Sequence, residues 1–201
     1  IEIEAQSTGS TTYTYAYGIY NFATYYNYYV DEISIDRNEL HLSSSYYIFG
    51  IYNYAYYCTG QQVNPSITNN IVNAGADGYV YGIYVYGYNS NRNMDMYNNT
   101  VNIEGWKNGS FTYKYQAYGL YIYYGRGLVE NNIVNISKRK GGTSYCIYRN
   151  YGSERYSKNN LWLDATMQGT KYYGYTGTNQ QTFANWTGWA NSGATSTNHE
   201  P

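Results

Sequence analysis

The chain has 201 residues, with 33 Tyr, 21 Gly, only 12% charged residues and a formal net charge of −1. That balance argues against a nucleic-acid partner, which needs a broad basic surface, and no run of 18 apolar residues exists to span a membrane. Two cysteines, Cys58 and Cys146, are too few for a disulfide scaffold.

In chain order, two phrases alternate. The first reads Tyr17-Gly18-Ile19-Tyr20, Phe49-Gly50-Ile51-Tyr52, Tyr81-Gly82-Ile83-Tyr84 and Tyr118-Gly119-Leu120-Tyr121, then a decayed Tyr145-Cys146-Ile147-Tyr148. The second reads Arg37-Asn38-Glu39-Leu40, Asn69-Asn70-Ile71-Val72, Asn98-Asn99-Thr100-Val101, Asn131-Asn132-Ile133-Val134 and Asn159-Asn160-Leu161-Trp162. Each recurs every 27 to 37 residues, so one structural unit is stacked on copies of itself.

Within each phrase the residues alternate as a strand requires. Ile19, Ile51, Ile83, Leu120 and Ile147 are expected to face the core, with the glycines and Tyr20, Tyr52, Tyr84, Tyr121 and Tyr148 facing out. In the second phrase Leu40, Leu42, Val72, Val101, Ile103, Val134, Ile136 and Trp162 are expected inside. The second asparagines, Asn38, Asn70, Asn99, Asn132 and Asn160, form a structural ladder that hydrogen-bonds from unit to unit. Long stretches of 3.6 period are absent, and β-branched and aromatic residues dominate, so helices are not expected. Short strands at about 30 residues per unit predict an all-β solenoid, a parallel β-helix of about six coils. Stacking at about 4.8 Å places Cys58 and Cys146 roughly 14 Å apart, beyond disulfide reach.

Over 15–167 these phrases resemble the right-handed parallel β-helix superfamily, the pectate-lyase-like solenoids of secreted bacterial proteins. The resemblance implies a fold shared by lyases, hydrolases, adhesins and structural spines, and does not choose among them. Thr182-Phe183-Ala184-Asn185-Trp186, then Gly188, Ala190-Asn191-Ser192 and Glu200-Pro201, looks like the closing segment of large surface β-helix proteins, a short helix carrying a Trp. The expected organisation is a parallel β-helix over 1–177 and a C-terminal capping segment over 178–201. With Ile1 in place of Met, a fragment of a longer secreted protein is expected.

Three features could carry function. Tyr20, Tyr52, Tyr84, Tyr121 and Tyr148, with Phe22, Tyr54, Tyr86 and Tyr123 two residues on, predict an exposed aromatic face. Stacking for its own sake, a protein-assembly surface and a glycan platform are all open readings of it. Asp77, Trp106 and Arg139 occupy equivalent places on successive units, a possible subsite for an acidic sugar through stacking and a carboxylate clamp. A solvated basic turn, with Lys107, Lys138 and Lys140 nearby, is the plainer reading. Spacing differences put insertions near 25–32, 57–65 and 104–115, where solenoids often carry function.

Catalysis finds little support. Asp31, Asp36, Asp77, Asp95 and Asp164 form no Asp-Asp or Asp-x-Asp element, and His41 and His199 are far apart, His41 facing out between Leu40 and Leu42. Glu130 and Lys158 share a column as a surface ion pair. No cofactor or metal is expected. The expected function is a non-catalytic, secreted or cell-surface rod, structural or adhesive, whose tyrosine face meets another copy or a protein partner. The alternative is a carbohydrate-active module that binds or cleaves an acidic polysaccharide.

Overall fold

The computed structural model describes residues 1–5, 14–24, 33–56, 66–76, 78–87, 94–105, 115–125, 127–152 and 154–190. In chain order the strands are β1 (Glu2–Ala5), β2 (Tyr15–Thr24), β3 (Ser34–Asp36), β4 (Glu39–Ser44), β5 (Tyr47–Tyr56) and β6 (Ser66–Thr68). Then come β7 (Ile71–Gly75), β8 (Tyr79–Tyr86), β9 (Asp95–Tyr97), β10 (Thr100–Glu104), β11 (Ala117–Gly125) and β12 (Leu128–Glu130). The last are β13 (Ile133–Ser137), β14 (Lys140–Gly152), β15 (Arg155–Ser157), β16 (Asn160–Leu163), β17 (Gln168–Tyr175) and β18 (Asn179–Gln180), followed by helix α1 (Phe183–Ala190).

Every third strand joins the same sheet. One sheet runs β1-β4-β7-β10-β13-β16, a short one runs β3-β6-β9-β12-β15, and the tyrosine sheet runs β2-β5-β8-β11-β14-β17 with β18 outermost. All pairings are parallel except β17 with β18. The chain is therefore all-β with stacked parallel sheets, compatible with a β-helix-like solenoid.

The core fills the space between the sheets with one aliphatic column from each. Leu40, Val72, Val101, Val134 and Leu161 meet Ile51, Ile83, Leu120 and Ile147, and Ile67, Met96, Val129 and Tyr156 close the third side, all buried. In the last repeat the inward pair is Leu161 and Leu163, with Trp162 between them only half-buried. Trp162 was expected inside. The register explains the change: Val134 pairs with Leu161, so the strand sits one residue earlier than the Asn-Asn alignment implies.

A second correction concerns the repeat glycines, which were expected to face out. In β8, Gly82 and Ile83 are both buried, and the alternation of inside and outside changes phase between them. A Cβ on Gly82 would overlap Val101 Cγ1 and the Gly119 carbonyl oxygen; at Gly50 it would overlap Val72 Cγ1 and the Gly82 carbonyl oxygen. The glycines admit the aliphatic column of the opposite sheet, a close approach that any side chain would block.

The corner between the short sheet and the first sheet is made by one residue in the left-handed region: Arg37, Asn69, Asn98, Asn131 and Lys158, with φ from 52° to 57°. Asparagine suits that conformation best, which accounts for the first residue of each Asn-Asn pair. The next residue is the ladder. Backbone N and Nδ2 of Asn38 donate to Asn70 Oδ1 at 3.0 and 2.9 Å, and Asn70 donates likewise to Asn99 at 3.1 and 3.0 Å. Asn99 continues to Asn132, and Asn132 to Asn159. Asn159, not Asn160, ends the ladder, because Lys158 occupies the left-handed corner there. The spare Nδ2 hydrogens of Asn70, Asn99 and Asn159 go to the carbonyls of Ile35, Ile67 and Val129, each at 2.8 Å. These buried amides are thus fully used.

At the C-terminal end Thr182 caps α1, its Oγ1 accepting from Asn185 N at 3.1 Å. The helix turns Trp186 onto Gly174, where the indole is fully buried and meets Tyr156 edge-on at 5.2 Å. Residues 191–201 of the capping segment, and Cys58, lie outside the described residues.

Candidate functional site

Four aromatic columns pave the outer side of the tyrosine sheet, two more than the Gly-Ile-Tyr phrase alone suggests. Column one is Tyr15, Tyr47, Tyr79 and Tyr115, with ring centroids 5.0, 4.8 and 4.4 Å apart. Tyr17, Phe49, Tyr81, Tyr118, Tyr145 and Tyr172 form the second. The third, Tyr20, Tyr52, Tyr84, Tyr121, Tyr148 and Tyr175, keeps spacings of 4.9, 4.8, 5.1, 5.0 and 4.5 Å with near-parallel planes. A fourth runs Phe22, Tyr54, Tyr86 and Tyr123. Beyond Tyr123 the bulge in β11 breaks the column, and Tyr151 stacks on Tyr124 at 4.7 Å instead.

The glycine explains the second column. Because two consecutive residues face in, the aromatic just before each glycine is turned outward beside the one that follows Ile. Rings of the second and third columns meet at right angles, as in Tyr81 to Tyr84 at 83° and Phe49 to Tyr52 at 86°. Strict alternation from Ile outward would have placed them inside.

Strand spacing sets what this surface offers. A separation near 4.8 Å exceeds the roughly 3.5 Å of optimal carbon contact, so the rings lean into offset stacks. In the interior of each column both ring faces are covered by neighbours, and the surface presents ring edges and hydroxyls. Tyr52, Tyr84, Tyr86, Tyr121, Tyr123 and Tyr148 are accordingly half-buried, not fully exposed. Burial, then repulsion from neighbouring phenols, pushes Tyr52, Tyr121 and Tyr145 up to about 12, and raises Tyr81, Tyr84 and Tyr118 well above the ordinary phenol value. These hydroxyls remain neutral donors and acceptors at any physiological pH.

Of the expected acidic-sugar subsite only Arg139 falls among the described residues. Asp77 and Trp106 lie outside the described residues, and Arg139 is 2% exposed. Its guanidinium donates to the carbonyls of Ala76 at 2.7 Å, Tyr115 at 2.8 Å and Gly78 at 3.2 Å. Those bonds tie three backbone segments together and leave no fork for a carboxylate ligand. The sequence places a cation in this column but says nothing of which way it turns.

Sequence reasoning missed a groove on the outer side of the first sheet. It encloses about 460 Å³ beside Glu4, His41, Asn73, Asn102 and Glu104. Asn102 Nδ2 donates to Asn73 Oδ1 at 2.8 Å, and Asn73 Nδ2 reaches His41 Nδ1 at 3.4 Å. His41 Nε2 lies 2.9 Å from Glu39 Oε1, and Glu104 pairs with Lys138 at 3.1 Å. The groups are polar and already engaged with one another. Among the described residues no group of three His, Cys, Asp or Glu side chains could hold a metal ion.

Neither a protein-family model, a curated protein nor a solved structure matches the chain.

Two buried groups complete the inventory. Cys146 takes the glycine place of the fifth repeat, and burial raises its thiol far above the ordinary value, leaving it unreactive. Burial also lifts Glu154 to about 7 against the opposing pull of Arg149 at 3.8 Å, and its Oε1 has no partner among the described residues. Glu130 and Lys158 pair at 3.0 Å on the surface, an interaction of small consequence. No helix among the described residues is long and apolar enough to cross a membrane.

Proposed function

We propose that the chain is a right-handed parallel β-helix of about six coils that serves as a non-catalytic, extracellular structural or adhesive rod. Its tyrosine face is the contact surface for another protein or another copy. The observation that carries this reading is the run of four aromatic columns. It offers a broad, flat, uncharged array of phenol edges and hydroxyls, amphipathic groups that lose little side-chain entropy on contact. Repeats stacked on neighbours lengthen such a face without a larger core. Among the described residues a catalytic reading lacks a constellation to rest on, since Arg139 spends its donors on backbone carbonyls.

A second reading, binding of a polysaccharide, draws on the polar groove of the first sheet beside His41, Asn73 and Asn102. Ring stacking on a sugar suits the tyrosine face less, because interior ring faces are occupied.

The test is sedimentation velocity over a range of concentrations, with retention on insoluble and acidic polysaccharides measured in parallel. It compares the chain with a Tyr52→Ser/Tyr84→Ser/Tyr121→Ser variant whose circular dichroism still reports β-sheet. Self-association or protein-surface adhesion that disappears in the variant is the expected result. Retention by a polysaccharide that survives the variant but not Asn73→Ala selects the second reading. A monomer that adheres to nothing overturns both.

A further inference from the structure

One aromatic column differs from the others. Phenylalanine stacks as well as tyrosine, and it stands at Phe49 in the second column and Phe22 in the fourth. The third column is tyrosine on all six strands from β2 to β17. Its rings lie 4.5 to 5.1 Å apart with planes within 10° of parallel, so each π system meets the next without a gap. The second column joins it edge-on from β8 onward. Tyr81 meets Tyr84 at 5.6 Å and Tyr121 at 5.3 Å, and Tyr118 meets Tyr121 at 4.9 Å and Tyr148 at 5.2 Å.

Phenols, indoles and sulfur groups are the side chains that most readily give up an electron. Among the described residues the competitors of these phenols face elsewhere. Cys146, Met94, Met96 and Met167 are buried in the core, Trp186 is fully buried over Gly174, and Trp162 is on the first sheet. Burial holds Tyr84, Tyr118 and Tyr121 as neutral phenols. The same burial disfavours a charged ring of either sign, so an electron leaves together with the hydroxyl proton. Hydroxyls at the surface can pass that proton to water.

We propose that the third column, joined by the second, is a relay that carries a one-electron oxidation along the stack as a phenoxyl radical. At the entry ring a phenol loses one electron to a one-electron oxidant of the high-valent metal class and its O–H proton to water. In each later step the neighbouring phenol passes one electron to the phenoxyl and releases its own proton, while the first ring takes one proton up. One O–H bond breaks and one forms, between like partners, so the step is close to thermoneutral. This role goes beyond the contact surface and needs no partner protein. A chain that stays monomeric and adheres to nothing leaves it standing.

The experiment uses the full chain carrying Cys58→Ser and Asn179→Cys, which tethers a ruthenium tris-bipyridine photo-oxidant across from Tyr175. Tyr20→3-aminotyrosine supplies a trap at the far end, whose radical is more stable and has its own electron paramagnetic resonance spectrum. After flash and quench, the trap radical is expected at Tyr20. Tyr79→Phe, Tyr81→Phe, Tyr84→Phe and Tyr86→Phe together keep the rings of β8 and remove its phenols. That change is expected to abolish the Tyr20 signal while a trap set by Tyr148→3-aminotyrosine still responds. Should the fourfold change cost the β-sheet spectrum, Tyr81→Phe/Tyr84→Phe takes its place, with a slowed rise at Tyr20 expected. Equal Tyr20 signals in the intact and the β8-changed chains overturn the proposal, because the oxidation then needs no column. So does an intact chain whose Tyr20 trap never forms a radical, or a signal that falls on dilution, which would mean transfer between chains.

Discussion

The tyrosine columns and the asparagine ladder share one lattice, repeat upon repeat along the same stack, but they hold it in different ways. Rings attract their neighbours through many small contacts, each partly wet, so losing one removes only its own share. Ladder amides are buried, and each bridges two repeats through both its oxygen and its nitrogen. Losing one strands polar groups on both sides of it. The outer stack is graded and tolerant, whereas the inner one is close to all-or-none.

Alkali tests the outer stack as a whole and carries the largest expected effect. Burial raises the phenols of Tyr52, Tyr121 and Tyr145 to about 12 and those of Tyr81, Tyr84 and Tyr118 well above the ordinary value. An unfolded phenol ionises near 10, so the folded state holds its protons longer. The stabilising contribution is therefore complete below about pH 10 and declines as pH climbs toward the folded values. Titration at 295 nm followed with circular dichroism should show exposed tyrosines ionising first, then a cooperative rise that coincides with loss of β-sheet. A smooth single titration with the sheet intact would mean the rings are far less buried than described.

Next in size is Asn99→Ala. It leaves Asn70 N–H and one Asn70 Nδ2 hydrogen without partners in the interior and takes a second donor from the Ile67 carbonyl, an expected loss of about 3 kcal/mol in urea unfolding. Asn38→Ala, at the first rung of the ladder, removes only the Nδ2 donor to Asn70 Oδ1 and the Asp36 carbonyl, keeps the backbone N–H bond to Asn70, and should cost about 1 kcal/mol or less. Equal losses at the two positions would show that the ladder is not directional in its energetics.

Single rings are expected to matter less than the buried ladder amide at Asn99. Tyr84 is half-buried with a ring on either side, at 4.8 and 5.1 Å, so Tyr84→Ser should destabilise by about 2 kcal/mol. Phe22 stacks on Tyr54 along its column and lies beside Tyr20, with its outer face exposed, so Phe22→Ser should cost under about 1 kcal/mol. A difference reversed in sign would place the weight of the stack at its edge.

Legibility followed from how local each constraint is. The repeat, the parallel pairing it demands, and the inward aliphatic columns such as Leu40–Val72–Val101–Val134 are written in spacing and residue type, because stacked copies must superimpose like on like. Three things were not. The phase change at Gly82-Ile83 needed the opposing Val101, since a strand read alone simply alternates. The shift from Asn160 to Asn159 needed the corner conformation at Lys158, where a left-handed residue matters more than an Asn-Asn match. Arg139 looked available in the sequence because its carbonyl partners at Ala76, Gly78 and Tyr115 are distant along the chain.

By itself, then, the sequence determined the architecture: an all-β stack of like units with aromatic and asparagine columns, since periodicity is a property of the chain. Tertiary structure decided which faces of those columns are accessible. It covered the tyrosine faces along the stack, bared them at β2, and buried the arginine that seemed to mark a ligand site. The physical reason is that accessibility depends on what lies on the other side of a residue, and that neighbour comes from a different repeat.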